Sequence, residues 1–177
     1  MRRLNWQKKM TSESDLKLVS LASGVGKRLQ QHGLTLVLAE SCTGGWVAKT
    51  LTDIPGSSAW FDRGFVTYSN TAKQEMLGVN AASIEQWGAV SEQVVAAMTN
   101  GALAHSSADV AIAVSGIAGP GGGSAEKSVG TVCFSWQLRS QEPVVRREHF
   151  SGDREAVRLQ SVFYALEQLL EILAADG

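Results

Sequence analysis

Apolar residues between Ser14 and Gln31 recur as Leu16, Leu18, Val19, Leu21, Ala22, Val25 and Leu29, which is a helical period. Ser12 or Ser14 can cap its start, and Gly33 stands where helices commonly end. Residues 34–38 are a short β-favouring run and predict a buried strand. Trp46, Val47 and Leu51 then take up helical spacing over residues 43–52, and Asp53-Ile54-Pro55-Gly56 reads as a turn. Trp60-Phe61 and Phe65-Val66-Thr67-Tyr68 predict a second strand. Ser69-Asn70 opens a helix with Lys73, Met76 and Leu77 that stops at Gly78, and a further helical piece covers residues 82–87. Ser91 caps a helix containing Val94, Val95, Met98 and Leu103.

Residues 110–114 are continuously apolar, as in strands inside a parallel sheet. After the only glycine-rich segment of the chain, residues 131–136 and 144–150 predict two antiparallel neighbours joined around residues 140–143. Asp153 caps a long last helix with Ala156, Val157, Val162, Phe163, Leu166, Leu169, Leu170 and Leu173 on one face. This order predicts an α/β fold: a single three-layer domain, with a mixed β-sheet of about five strands flanked by helices. Residues 10–177 are expected to form that one domain. Residues 1–9 are basic and read as a loose extension.

The 177 residues suffice for one well-filled core. A formal net charge of -1 gives no electrostatic reason to expect nucleic acid or an anionic membrane as a partner, and no apolar run approaches the roughly 18 residues of a membrane span. The basic amino terminus is not followed by the apolar stretch of a signal peptide. Two cysteines, Cys42 and Cys133, suit a reducing cytoplasm, and three dispersed histidines give no metal-ligand spacing, so neither metal nor cofactor is expected.

Three polar segments follow strands, and ligands of such sheets sit at the carboxyl ends of strands. In Glu40-Ser41-Cys42-Thr43-Gly44-Gly45 the backbone N–H groups near Thr43, Gly44 and Gly45 could hold a phosphate or an oxyanion. Ser41 is there either a nucleophile or, like Thr43, a helix cap. Cys42 is either a second nucleophile or a small buried residue, and Glu40 an orienting group. In Tyr68-Ser69-Asn70-Thr71-Ala72-Lys73, a desolvated lysine can replace histidine as the base for a serine, and the tyrosine can relay the proton. The other reading makes Lys73 a surface residue and Tyr68 core. In the third segment Ser115, Gly116, Gly119, Gly121 and Gly122 make a loop suited to an anion or a lid, or a plain hairpin-like connection. Neither the P-loop nor the dinucleotide fingerprint is present. Trp60, Phe61, Arg63 and Trp87 could also stack on or pair with a nucleotide, although ordinary burial preference favours core or surface positions for each.

Taken together, AESCTGGW, GFVTYSNTAK, GAVSE and SGIAGPGGG with KSVGTV resemble the carboxy-terminal domain of the CinA competence/damage-inducible proteins. The likeness runs from about Ser14 to Leu173 with the motifs in the family's order. It departs at Gly121-Gly122-Gly123, where the family is more mixed. The stand-alone form of that domain is a nicotinamide-nucleotide amidohydrolase. The resemblance therefore implies hydrolysis of the carboxamide of nicotinamide mononucleotide, with Ser41 as nucleophile and Tyr68 and Lys73 as its activating pair. Alternatives are an amidohydrolase for another amide and a non-catalytic nucleotide-binding regulatory module. The expected partners are a small-molecule nucleotide and, by base rate, a second copy of the chain in a homo-oligomer, most simply a dimer.

Overall fold

The computed structural model describes residues 12–175, so the expected extension over residues 1–9 lies outside it. The chain order is α1 (Glu13–His32), β1 (Leu36–Glu40), α2 (Trp46–Thr52), a 3-10 turn (Ser57–Ala59), β2 (Phe61–Val66), α3 (Asn70–Leu77), α4 (Ala81–Trp87), α5 (Glu92–Ala104), β3 (Val110–Gly116), β4 (Thr131–Leu138), β5 (Val144–His149) and α6 (Arg154–Ala175). Ser12 starts α1 through a reciprocal cap. Its Oγ accepts from the Asp15 N–H at 3.1 Å, and the Asp15 carboxylate accepts from the Ser12 N–H at 3.3 Å. Gly33, at φ 66°, ends the helix in the left-handed conformation that glycine adopts without steric cost.

One mixed sheet runs β2-β1-β3-β4-β5, with β2, β1 and β3 parallel and β4 and β5 antiparallel to their neighbours. Strand alternation divides the apolar residues between two faces. Leu36, Leu38, Val110, Ile112, Val114, Phe134 and Trp136 pack with α1, α2 and α6, whereas Val37, Ala39, Ala111, Ala113 and Cys133 pack with α3, α4 and α5. The predicted three layers and five strands are therefore observed. A fully buried side chain such as Phe134 or Leu166 contributes about 1.5–3 kcal/mol, so the first, larger cluster dominates stability.

One local expectation needs correction, and one pair of alternatives is decided. Helix α2 begins at Trp46 rather than Thr43, because Gly44 and Gly45 stand at φ 61° and 92° and bring the chain into the helix through a left-handed turn. Trp60 is core: it is 2% exposed and so close to Gly26 of α1 that a Cβ there would lie 2.6 Å from its ring. It cannot stack on a ligand.

The connection after β1 leaves toward α2 on one face, and the connection after β2 leaves toward α3 on the other. The strand order β2-β1-β3 puts the reversal of connection, where open α/β sheets bind ligands, at the carboxyl ends of β1 and β3.

Candidate active site

Two backbone hydrogen bonds tie the strand ends together at that edge of the sheet. The Ser41 N–H donates to the Val114 carbonyl at 2.9 Å, and the Thr67 N–H donates to the Glu40 carbonyl at 2.8 Å. The ends of β3, β1 and β2 are thus tied together around Ser41. From α3, Lys73 reaches this edge and is 1% exposed. Its Nζ lies 2.9 Å from Ser41 Oγ and 2.8 Å from the Thr67 carbonyl oxygen. Ser69 makes this placement possible by capping α3, its Oγ accepting from the Ala72 N–H at 3.0 Å, so that Lys73 projects from the first turn.

Burial lowers the Lys73 ammonium below its ordinary value of 10.5, because the charged form loses its water; the nearby Cys42 thiol opposes this more weakly. A neutral amine that donates one N–H to the Thr67 carbonyl keeps a lone pair for the Ser41 hydroxyl proton. Cys42 is 6% exposed and burial pushes its thiol up to about 12, so it stays protonated at neutral pH and is not the reactive thiolate.

Glu40 caps α2 from six residues before its first residue. Its carboxylate accepts from the N–H groups of Gly45 (3.0 Å), Val47 (3.1 Å) and Ala48 (2.8 Å). This overturns the expectation that Ser41 or Thr43 is the helix cap. It also occupies the helix end, so α2 offers no open amides to an anion, and the Gly44 N–H is turned back onto the Ser41 carbonyl at 3.1 Å. Of the Thr43, Gly44 and Gly45 amides, only that of Thr43 has no protein acceptor among the described residues, as is true also of the adjacent Cys42 amide. The hydroxyls of Thr43 and Thr67, both fully buried, also lack a partner there.

Tyr68 makes no hydrogen bond to Ser41 or Lys73 among the described residues. It is 60% exposed, and its hydroxyl accepts from Arg154 Nη2 at 2.7 Å. Ser115 is buried with its Oγ on the Ala89 carbonyl at 2.8 Å, and Gly116 lies so close to Val132 that a Cβ would sit 2.7 Å away. The glycine-rich segment beyond them is the connection of the antiparallel β3–β4 pair, closed by Gly130 N–H donating to the Ile117 carbonyl at 2.8 Å. Arg154 Nη1 donates to the Gly119 carbonyl at 2.8 Å, whereas Gly121 and Gly122 are exposed. Arg63 is engaged by Asp62 and the His105 carbonyl, and the Trp87 carbonyl accepts from Lys127 Nζ at 2.5 Å.

Sequence reading missed Arg154 and Arg158, both on α6. Arg158 Nε donates to the Cys42 carbonyl at 3.0 Å and Nη2 to the Thr43 carbonyl at 2.9 Å, with the guanidinium 5.3 Å over the Trp46 ring. A signal was available: two arginines in the first turns of a helix oppose its macrodipole and call for another reason to be there. Together with Trp46, Asp153 and Glu155 they line a cleft of about 370 Å³. Among the described residues no three His, Cys, Asp or Glu side chains converge to hold a metal ion, and no helix is long and apolar enough to cross a membrane.

The CinA C-terminal domain profile matches residues 18–173. The chain is 57% identical over 156 residues to the nicotinamide-nucleotide amidohydrolase PncC of Escherichia coli K12, covering 88% of this chain and 94% of that one. It is 50% identical over 155 residues to the protein of the same name from Pseudomonas putida, covering 88% and 96%. The crystal structure of the competence/damage inducible protein CihA from Agrobacterium tumefaciens superposes with a TM-score of 0.86 at 45% identity, over 88% of this chain and 95% of the other. The chain belongs to the CinA C-terminal domain family.

Proposed function

We propose that the protein hydrolyses the carboxamide of nicotinamide mononucleotide to nicotinate mononucleotide and ammonia, using Ser41 as nucleophile and Lys73 as its base. The observation that carries this reading is the 2.9 Å contact between Ser41 Oγ and a buried Lys73 Nζ. The substrate comes from the names of the Escherichia coli and Pseudomonas putida relatives. Arg154, in the cleft lined also by Trp46, Asp153 and Glu155, supplies a positive charge that suits a phosphorylated molecule.

In this mechanism Lys73 takes the hydroxyl proton as Ser41 Oγ attacks the amide carbon. The oxyanion develops beside the Thr43 N–H. Lys73 passes the proton to the amide nitrogen, the C–N bond breaks and ammonia leaves. Water then gives a proton to Lys73 and attacks the ester. The ester C–O bond breaks, Ser41 Oγ recovers the proton, and the acid departs. Burial matters at the first step, because an ammonium could not accept a proton. The Tyr68 hydroxyl belongs at the mouth, where with Arg154 it contacts the substrate; the proton passes directly between Ser41 and Lys73.

Ammonia release from nicotinamide mononucleotide, nicotinamide riboside and NAD tests the assignment. Turnover is expected with the mononucleotide. Release only from the riboside or NAD would move the substrate, and release from none would favour a binding module.

A further inference from the structure

We infer that Arg158 is a positioning residue: it holds the Cys42–Thr43 peptide so that the Thr43 N–H faces the oxyanion formed during attack by Ser41. This rests on the reading of Ser41 as nucleophile. Residues 41–44 form a β-turn closed by the Gly44 N–H on the Ser41 carbonyl at 3.1 Å. Neither central residue has a positive φ, which excludes type II and the primed turns and fits type I.

The central peptide of such a turn takes no part in the closing hydrogen bond. In a trans peptide its carbonyl and amide point in opposite directions. Rotating that peptide by about 180° converts type I to type II and exchanges the two groups. Arg158 opposes the rotation by grasping two successive carbonyls, Cys42 O at 3.0 Å and Thr43 O at 2.9 Å. Its guanidinium is itself held against Trp46. With the Cys42 carbonyl on the arginine, the Thr43 N–H is directed away from it.

That amide has no protein acceptor among the described residues, although Thr43 is fully buried. A buried N–H without a partner calls for one from outside the chain. The unpartnered Thr43 hydroxyl makes the same demand beside it. A cation on the carbonyl side also polarises the peptide and strengthens its N–H as a donor. Arg158 thereby acts on the reaction through a backbone group, from the far end of the chain.

The test is steady-state ammonia release from nicotinamide mononucleotide by the whole protein carrying Arg158→Met or Arg158→Lys. Thermal melting reports whether each variant folds. A single oxyanion donor is worth roughly 100- to 1,000-fold in kcat, so partial misplacement in Arg158→Met should lower kcat about 30- to 100-fold. KM should move less than about 3-fold, and added guanidinium ion should restore part of the lost kcat. Arg158→Lys, unable to hold both carbonyls, should fall between. It carries the test by the same kcat–KM split if Arg158→Met does not fold. A raised KM with kcat unchanged would assign Arg158 to the substrate and overturn the inference, as would a kcat near wild type. If the wild type itself released no ammonia, the substrate assignment would fall instead. The rate of Ser41 labelling by a fluorophosphonate then decides: slower labelling in Arg158→Met upholds the inference, and an unchanged rate overturns it.

Discussion

Two glycine-bearing segments follow strands of the same sheet, and they are built in opposite ways. After β1, Ser41 to Gly45 is clamped by the Glu40 carboxylate below and the Arg158 guanidinium on one side, with two glycines at positive φ. After β3, the run from Gly119 to Gly123 is largely open, and a Cβ on Gly121 would meet nothing within 4 Å. Glycine content alone does not mark a ligand-binding loop. What separates the two is how firmly charged groups hold the backbone: the buried Glu40 carboxylate and the Arg158 guanidinium after β1, against the exposed Arg154 on the Gly119 carbonyl alone after β3.

The largest effects should come from the clamped segment. Ser41→Ala and Lys73→Met are each expected to lower kcat for ammonia release by at least about 1,000-fold with the melting transition intact, as for loss of a nucleophile or its base. Activity of Lys73→Met near that of the wild type would remove lysine as the base. Next comes Glu40→Gln. It keeps one amide oxygen for three N–H groups, so urea unfolding should show a loss of about 2–3 kcal/mol from an unsatisfied buried cap. A loss below 0.5 kcal/mol, roughly the scatter of surface substitutions, would mean that the clamp is not structural.

Smaller again is the direct contrast between glycines. Gly45→Ala forces a side chain to φ 92° and should cost about 1 kcal/mol or more, whereas Gly121→Ala should stay within about 0.5 kcal/mol. Equal costs in urea unfolding would erase the distinction between the segments. The subtlest expectation concerns pH. The folded-state pKa of Lys73 lies below its unfolded value of 10.5, so between the two the unfolded chain carries the extra proton. Stability should therefore rise with pH across that window, and the penalty of a buried ammonium should be complete below it. The difference in unfolding free energy between wild type and Lys73→Met should follow this trend; a flat difference would place Lys73 in water.

Much of this architecture was legible in local pattern. Gly33, Ser69, Gly78 and Ser91 mark helix ends because caps act within one turn. The pairing of Ser41 with Lys73 was legible from two segments that follow neighbouring strands, since parallel strands carry their ends to the same edge. The clamp was not. Glu40 reaches past its own turn to a helix start, and Arg158 meets Thr43 across 115 positions of sequence. Such side-chain-to-backbone contacts leave no periodicity to read. The orientation of Tyr68 was hidden for the same reason, being set by Arg154 from the start of α6.

The central claim, that a neutral buried lysine activates Ser41, is tested most directly by the pH dependence of Ser41 labelling with a fluorophosphonate. Mass spectrometry would locate the adduct in wild type and Lys73→Met. Modification at Ser41 is expected, with a rate that rises through an ionisation below 10.5 and a rate in Lys73→Met reduced by orders of magnitude. An adduct on another residue, or a Ser41 rate that Lys73→Met leaves unchanged, would contradict the claim.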